Sequence, residues 1–349
     1  MAPTTTPTTP ARGGGGNDDA GAPSSPHRCR RFESRVAIVT AATAGIGLAI
    51  ARRLLQEGAR GVAICSRRAA NVAAAVAELE GVARAANPGE DGGARVLGRV
   101  CHVADPQQRA ELLAAALAKF GGELDALVLN AAANPVAGPL LATPGEALDK
   151  LWQVNVKSAL LMAGECAPAL ARTAARRRAG AAAELRALGE EEGGSPGGGG
   201  GGGGGADGAG SGGGGDPTGR LEALRAAAAG ATSAMLFISS VTAFRPPFPI
   251  AAYAITKTTL LGVVRALADE LGPQGVRVVG LAPGIVKTKF AAALVEGEGA
   301  ERRQAAATAL GRLGMPGDMA GAAAFLLSED AAYVTGETLV ASGGMQSRL

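Results

Sequence analysis

Aromatic and histidine side chains are scarce in this chain. Of its 349 residues, 3% are Phe, Trp or Tyr, and only two are His. Its four cysteines, Cys29, Cys65, Cys101 and Cys166, are widely separated and form no Cys-x-x-Cys pair. This spacing supports neither a zinc site nor a disulfide framework, so no metal is expected. Cys65 and Cys101 fall in apolar runs and are interpreted as buried packing residues.

A strong excess of either charge is also lacking, as is a long hydrophobic run. The chain has 34 basic and 31 acidic residues, a formal net charge of +3, which gives no indication of a nucleic-acid partner. No run reaches the roughly 18 apolar residues that a membrane-spanning helix needs, and no secretory signal is visible. We therefore expect a soluble protein without a membrane span.

Glycine, by contrast, is abundant, with 54 residues, and much of it lies in one segment. Residues 193–215 are almost entirely Gly with a few Ser, Pro, Ala and Asp. Such a segment cannot bury enough apolar surface to offset its ordering entropy. We predict a disordered Gly/Ala-rich insertion over 173–232, whose Ala- and Arg-rich flanks could extend neighbouring helices.

Residues 1–33 form a second low-complexity segment, rich in Thr, Pro and Gly. We predict a disordered tail here, with an organelle transit peptide as the alternative. The prolines, the glycines and the acidic pair Asp18-Asp19 oppose the amphipathic helix that a transit peptide would form. The folded domain is therefore predicted over 34–349, interrupted by the insertion.

Between these segments, short apolar runs alternate with helical patterns. The predicted strands are 36–40, 61–66, 96–102, 125–130, 234–239, 276–281 and 337–341. Such alternation is typical of a parallel sheet covered by helices on both faces. The predicted fold class is therefore α/β, with a single doubly wound seven-stranded parallel sheet. Because ligands of such sheets bind at the carboxyl ends of the strands, the cleft is expected above strands one, four and five.

A glycine-containing turn follows the first predicted strand. Thr40 ends this strand, and Gly45-Ile46-Gly47 precedes an apolar helix. Glycines let the backbone approach a pyrophosphate, and the amides of a helix N-terminus favour its negative charge. About twenty residues further on, the second strand ends at Ser66-Arg67, where dinucleotide-binding proteins contact the adenosine ribose. A hydroxyl and a guanidinium suit a 2′-phosphate, so the predicted cofactor is NADP(H).

Two residues later in the chain form a candidate proton-transfer pair. Tyr253 and Lys257 are four residues apart, so on a helix they share one face. An unperturbed phenol has a pKa of about 10, and the nearby ammonium is expected to lower that pKa by favouring the phenolate. Ser240 follows an apolar run and would add a hydroxyl that holds a carbonyl oxygen.

With these motifs in this order, the chain resembles the short-chain dehydrogenase/reductase family from about residue 35 to 349, apart from the insertion. Ala41 stands where the family's turn usually has its first glycine. The family's Asn-Ala-Gly strand end appears as Asn130-Ala-Ala, its catalytic asparagine as Asn155, and its Pro-Gly segment as Pro283-Gly284. The resemblance implies a Rossmann-type fold and an oxidoreductase. Its catalytic residues would be Asn155, Ser240, Tyr253 and Lys257.

The same resemblance implies further cofactor contacts. His102 and Val103 stand at the adenine-contacting end of the third strand, where the family often has Asp in place of His102. Ile285 and Thr288 would contact the carboxamide of the nicotinamide. Lys257 would bond the nicotinamide ribose, and Asn155 would hold a water that links Lys257 to solvent.

Within the family, whole phrases are similar to the peroxisomal NADP(H)-dependent carbonyl reductases and retinol dehydrogenases. They include Ser66-Arg67-Arg68, Val100-Cys101-His102-Val103 and Tyr333-Val-Thr-Gly-Glu337. The chain ends in Ser347-Arg348-Leu349, a variant of the Ser-Lys-Leu address that a peroxisomal import receptor binds. We therefore predict the peroxisomal matrix as the location. The alternatives are the cytoplasm, or another organelle reached through the N-terminal tail.

The resemblance leaves the substrate open. With Ser240, the side chains of Phe244, Phe248 and Phe290 would form an apolar pocket suited to hydrophobic ketones, aldehydes, dicarbonyls or retinal-like molecules. The alternative is a peroxisomal step that shortens fatty-acyl or auxin-precursor chains, and Arg245 could favour such an acidic substrate. A nucleotide-binding scaffold without turnover is a hypothesis of another class, opposed by the intact catalytic set. Relatives imply a homotetramer built through the helices that carry the catalytic Asn and Tyr.

Overall fold

Parallel strands form the central sheet of this protein, whose structure is a computed structural model that describes residues 29–87, 95–193, 231–292, 296–297 and 299–347. The strands are β1 (Val36–Val39), β2 (Gly61–Ser66), β3 (Val96–Val100), β4 (Ala126–Leu129), β5 (Ser233–Ile238), β6 (Val276–Pro283) and β7 (Thr338–Ala341). They form one seven-stranded sheet in the order β3-β2-β1-β4-β5-β6-β7. Every neighbouring pair is parallel, which confirms the predicted doubly wound α/β fold class.

Helices connect the strands. They are α1 (Gly45–Gln56), α2 (Ala69–Ala86), α3 (Pro106–Lys119), α4 (Gly145–Trp152), α5 (Ser158–Gly193), α6 (Ala251–Leu271), α7 (Ala300–Ala306) and α8 (Pro316–Leu327). A π-helical turn, Gln153–Lys157, joins α4 to α5, and a short 3₁₀ turn, Val241–Ala243, precedes α6. No helix in the described part of the chain is long and apolar enough to cross a membrane.

Each face of the sheet is covered by a different set of helices. Successive side chains of a strand point to opposite faces, so Ala37 and Val39 of β1 pack in a cluster with α1, α2 and α8. Val36 and Ile38 pack on the other face with α3, α5 and α6. Winding changes direction between β1 and β4, which opens a crevice beyond their carboxyl ends.

Two strands end two residues away from their predicted ends, while the other strand ends agree with the predictions to within one residue. β3 stops at Val100, because the next residues turn away and the backbone N–H of His102 donates to Gln108 Oε1 (2.7 Å). β6 instead continues to Pro283, which pairs with Ala341 of β7. Cys65 and Cys101 are buried, as predicted.

The insertion begins later in the structure than predicted. α5 continues through Gly193, and its residues shortly after 172 contact the body of the domain. The backbone N–H of Leu124 donates to Thr173 Oγ1 (3.0 Å), and Arg177 Nη2 donates to Asp125 Oδ2 (3.0 Å). The boundary at 173 is therefore corrected, because tertiary contacts extend the helix. Residues 194–230 lie outside the described residues.

The predicted N-terminal tail also ends earlier than residue 33. Phe32 is 3% exposed and packs in the cluster with α1 and α2, and Arg31 is paired with Glu57 (2.7 Å). Residues 29–33 thus belong to the folded domain, because an aromatic side chain and an ion pair anchor them. Residues 1–28 lie outside the described part of the chain.

Candidate active site

The turn that follows β1 is held by side chains at the ends of β1 and β4. Thr40 Oγ1 donates to the carbonyl of Val128 (3.1 Å) and accepts from the backbone N–H of Asn130 (2.9 Å). Asn130 Nδ2 in turn donates to the carbonyls of Thr40 (3.0 Å) and Ala41 (3.2 Å). The turn is therefore fixed by one hydroxyl and one amide.

The two glycines of this turn lie where a side chain would collide. Gly45 has φ +58°, and a Cβ there would be 3.1 Å from Thr288 Cγ2. A Cβ on Gly47 would be 2.5 Å from Asn130 Nδ2. The first turn of α1 has no acidic residue, and no side chain caps it. The N–H groups of an uncapped helix N-terminus are able to bind a diphosphate group, so these residues are compatible with a dinucleotide.

Ala41 occupies the backbone conformation that explains the family's usual glycine. Its φ is +50°, in the left-handed region, which costs a residue with a Cβ roughly 1–2 kcal/mol. The bond from Asn130 Nδ2 to the Ala41 carbonyl helps to hold this conformation.

The predicted adenosine-contacting residues lie at the ends of β2 and β3. Ser66 ends β2 half-buried, and its carbonyl accepts from Cys101 N–H (2.9 Å). Arg67 follows it and is exposed. The imidazole of His102 is half-buried, and its Nδ1 accepts from Ala104 N–H (3.2 Å), while Val103 is buried. The register of the two strands thus brings these residues to one edge of the sheet.

The predicted nicotinamide-contacting residues follow β6. Pro283 ends this strand, and a Cβ on Gly284 would be 2.8 Å from Ser342 Cα. Ile285 accepts through its carbonyl from Gly314 N–H (2.9 Å). Thr288 packs against Gly45, so the structure brings the segment after β6 onto the glycine turn.

Tyr253 and Lys257 lie at the start of α6 and are both buried. Lys257 Nζ is 5.7 Å from the centroid of the Tyr253 ring and donates to the carbonyl of Ile238 (2.8 Å). Ser240 follows β5, is hydrogen-bonded to the phenol, and accepts from Thr242 Oγ1 (2.9 Å). The structure therefore brings the predicted Ser, Tyr and Lys together.

The expected direction of the phenol pKa is wrong in this structure. Burial raises the pKa of Tyr253 above its usual value, and the hydrogen bond with Ser240 opposes this only in part. Burial also lowers the pKa of Lys257 to about 7, so the amine is only partly charged near neutrality. Desolvation is the main cause of both shifts in pKa, and the spacing of four residues could not indicate it.

Asn155 lies in the π-helical turn and is 1% exposed. Its Oδ1 accepts from Ala133 N–H (2.7 Å), and its Nδ2 donates to the carbonyl of Ala133 (3.0 Å) and to Thr256 Oγ1 (3.0 Å). Sequence reasoning missed both Thr256 and the π-helical turn. The only available signal was the position of Thr256 next to Lys257, because its partner is distant in sequence.

The three predicted pocket phenylalanines differ in their surroundings. The Phe290 ring lies 5.9 Å from that of Tyr253, centroid to centroid, at an interplanar angle of 49°. Phe244 is half-buried at the end of the 3₁₀ turn, whereas Phe248 is 76% exposed. Thr258 Oγ1 donates to the carbonyl of Ala243 (2.6 Å) and so ties this turn to α6. Of these three side chains, Phe290 is the one whose ring lies against the ring of Tyr253.

Comparison with known proteins defines the class to which this fold and site belong. The family model described as short chain dehydrogenase matches residues 35–182, and that described as Enoyl-(Acyl carrier protein) reductase matches 220–346. The chain belongs to the short-chain dehydrogenase/reductase family of oxidoreductases.

Individual relatives align over nearly the whole chain. Tropinone reductase-like 3 of Erythroxylum coca is 39% identical over 92% of this chain and 96% of its own. Dehydrogenase/reductase SDR family member 4 of Caenorhabditis elegans is 37% identical over 93% of this chain and 100% of its own. Among solved structures, 3-ketoacyl-(acyl-carrier-protein) reductase from Brucella melitensis, complexed with NADH, is 25% identical with a TM-score of 0.66. It covers 90% of this chain and 99% of its own.

Proposed function

We propose that this protein is an NADP(H)-dependent oxidoreductase that interconverts a hydrophobic carbonyl compound and its alcohol. One observation carries the proposal: the Tyr253 phenol is buried, is hydrogen-bonded to Ser240, and lies beside both Lys257 and the Phe290 ring. A proton donor, a second hydroxyl for the same oxygen and an apolar contact are the features that carbonyl reduction requires.

The residues at the carboxyl ends of the strands fit a nicotinamide dinucleotide. When bound, such a cofactor supplies or accepts the hydride. Gly45, Gly47 and the start of α1 would hold its diphosphate, while Ile285 and Thr288 would hold the carboxamide. The solved Brucella relative, described as complexed with NADH, supports a cofactor of this class.

The preference for NADP(H) rests on Ser66 and Arg67. Both follow β2, and the exposed guanidinium of Arg67 is able to pair with a 2′-phosphate. An acidic residue at this position would instead repel a phosphate and favour the 2′-hydroxyl of NAD.

Tyr253 and the side chains around it would carry out the proton transfer. Ser240 and Tyr253 would hold the carbonyl oxygen, and the Tyr253 hydroxyl would give it a proton. Because burial raises the pKa of Tyr253, the phenol is protonated at neutral pH, the form that a carbonyl-reducing step needs. Lys257 would bond the nicotinamide ribose, and Asn155 would hold a water on the proton route to solvent.

The first test compares NADPH and NADH oxidation by the purified protein with a small aromatic diketone. We expect turnover with a strong preference for NADPH. Arg67→Ala should reduce that preference, whereas Arg84→Ala, which removes an exposed arginine from the last turn of α2, should not. A preference for NADH would contradict the role of Ser66 and Arg67.

A second candidate function has one observation in its favour. Arg245 is exposed on the segment between Ser240 and α6, where it contacts Gln346 Oε1 (3.5 Å). A cation there would suit an acidic substrate of a chain-shortening step, such as a 3-oxoacyl-CoA. Faster turnover of such a thioester than of the neutral diketone would favour this candidate, provided that Arg245→Ala removes the advantage.

For the location, we propose the peroxisomal matrix, with import through Ser347-Arg348-Leu349. The proposal rests on the similarity of this tripeptide to Ser-Lys-Leu. A fluorescent protein fused to the N-terminus of the chain should enter peroxisomes, and removal of Leu349 should leave it in the cytoplasm. Entry without Leu349 would contradict the proposal.

For the assembly, we propose a homotetramer built through α4, α5 and α6. The proposal is supported by large apolar side chains that these helices expose by 38–49%. They are Leu148, Trp152, Leu160, Leu161 and Ile255. Light scattering should give four times the chain mass of 34.3 kDa, and Trp152→Glu should lower it. A monomer at micromolar concentration would refute the assembly.

A further inference from the structure

Thr256 lies between Tyr253 and Lys257 in the chain, and its side chain contacts a third catalytic residue. Its hydroxyl donates to the carbonyl of Tyr253 (2.6 Å) and accepts from Asn155 Nδ2 (3.0 Å). Thr256 is 4% exposed, so water does not compete for these bonds. The hydroxyl therefore has a defined direction: its proton points to the carbonyl oxygen of Tyr253, and one of its lone pairs faces Asn155 Nδ2.

On its other side the amide of Asn155 bonds to the backbone of Ala133, which leaves one lone pair of Oδ1 free within the described part of the chain. Its Oδ1 accepts from Ala133 N–H (2.7 Å), and its Nδ2 also donates to the carbonyl of Ala133 (3.0 Å). Ala133 lies in the segment after β4, and Asn155 in the π-helical turn. A chain of bonds thus runs from the segment after β4 through Asn155 and Thr256 to the first turn of α6.

A threonine inside a helix commonly bonds back to a carbonyl of the preceding turn without any further role. Thr259 on the same helix does so, since its hydroxyl donates to the carbonyl of Ile255 (3.1 Å) in a solvent-exposed bond, and the residue itself is half-buried. Thr256 differs because its second partner is a buried amide distant in sequence. Thr259 therefore provides the matched control for backbone bonding and helix propensity.

We propose that Thr256 is a positioning residue for the proposed carbonyl reaction. Through its hydroxyl it fixes Asn155 relative to the first turn of α6, so that Asn155, Tyr253 and Lys257 face the same reacting atoms. The proposal deepens the proposed function and rests on it.

The kinetic test uses Thr256→Ser and Thr256→Ala, assayed with NADPH and the aromatic diketone. Both substitutions remove the methyl group, but only Ala removes the hydroxyl. We expect kcat of the Ala variant to be about tenfold below that of the Ser variant, the loss expected for one buried hydrogen bond. The two variants should have the same KM for the diketone within about twofold, and the same equilibrium Kd for NADPH within about twofold. Thr259→Ala should retain the wild-type kcat.

Hydrogen exchange provides a readout that needs no turnover. The backbone N–H of Ala133 is bonded to Asn155 Oδ1, so a loosened Asn155 should let this amide exchange faster. In protein without added cofactor, Thr256→Ala should exchange at Ala133 about tenfold faster than Thr256→Ser, and Thr259→Ala should not differ from wild type. Thr256→Val, which keeps the volume, replaces the Ala variant if the latter does not fold.

The two measurements separate this proposal from the proposed function. Absence of wild-type turnover with every substrate would refute the function, while the exchange comparison would still decide the role of Thr256. With an active enzyme, equal kcat values for the Ser and Ala variants, or equal exchange at Ala133, would overturn the positioning role.

Discussion

The glycine turn after β1 and the catalytic turn at the start of α6 lie at the same edge of the sheet, but different forces hold them. The glycine turn depends on backbone conformation, with Gly45 at φ +58° and Ala41 at φ +50°, and Asn130 binds its carbonyls. The catalytic turn depends on the burial of two ionisable side chains, Tyr253 and Lys257. The first turn should therefore be sensitive to side-chain size, and the second to polarity and charge.

Tyr253→Phe should have the largest effect, because it removes the proposed proton donor and keeps the ring. Turnover should fall by about 10² to 10⁴-fold, the usual contribution of a general acid, while NADPH binding changes little. Steady-state kinetics and fluorescence titration with NADPH measure the two quantities. The chain has two tyrosines, and Tyr333→Phe is the control because Tyr333 is fully exposed. Retained turnover in Tyr253→Phe would defeat the assignment.

The pH dependence of stability tests the burial of Lys257. Its pKa is lowered to about 7 in the folded protein, against about 10.4 when unfolded. Between these values the unfolded state binds more protons, so this residue makes the free energy of unfolding rise with pH, by up to about 1.4 kcal/mol per unit. Burial raises the pKa of Tyr253, which acts in the opposite direction only above about pH 10.

Urea unfolding of the wild type and of Lys257→Met, at several pH values from about 7.5 to 9.5, measures this contribution. Methionine keeps most of the volume and has no proton to lose, so the difference between the two proteins isolates Lys257. The wild type should gain roughly 3 kcal/mol relative to the variant over this range. Parallel curves would mean that the amine keeps an ordinary pKa in the folded state, and the contrast between the two turns would disappear.

Gly47→Ala tests the dependence of the glycine turn on size. The new Cβ would be 2.5 Å from Asn130 Nδ2 and 3.0 Å from the carbonyl oxygen of Ala41, so the free energy of unfolding should fall by about 1–3 kcal/mol. NADPH binding should weaken as well. Gly262→Ala in α6 meets no atom within 4 Å and should instead stabilise by about 0.5–1 kcal/mol. Equal effects at the two glycines would show that the turn is not tightly packed.

Ala41→Gly should have the smallest effect. Removal of the methyl group relieves the left-handed conformation, and the greater flexibility of unfolded glycine offsets part of this gain. We expect a net stabilisation of about 0.5–1 kcal/mol by urea unfolding. Ala42→Gly, at the neighbouring buried position, should destabilise the protein. A loss of stability in Ala41→Gly would mean that the turn relaxes away from φ +50°.

The order and type of the strands could be predicted because short apolar runs that alternate with helices leave few arrangements. The limits of the domain could not. Phe32 was assigned to a tail, and Thr173 and Arg177 to an insertion, because local composition does not indicate that Phe32 enters the core or that Arg177 reaches Asp125. In each case a contact distant in sequence decided the boundary.

The candidate site likewise has one part that the sequence could predict and another that it could not. Gly45, Ser240, Tyr253 and Lys257 could be located by short spacings, since each motif lies within one turn or follows one strand. The partner of Thr256 and the π-helical turn that carries Asn155 could not, because they depend on how α6 packs against α4 and α5.

The sequence by itself determined the sheet, its helices and the residue types at the strand ends, because periodicity and turn chemistry are local properties. Only the tertiary structure decided the charge states at the site. A Tyr and a Lys four residues apart predict a stabilised phenolate in water, whereas burial raises the pKa of Tyr253 and lowers that of Lys257. Desolvation of a side chain depends on every segment that packs around it, so it cannot be predicted from the spacing of residues within one helix.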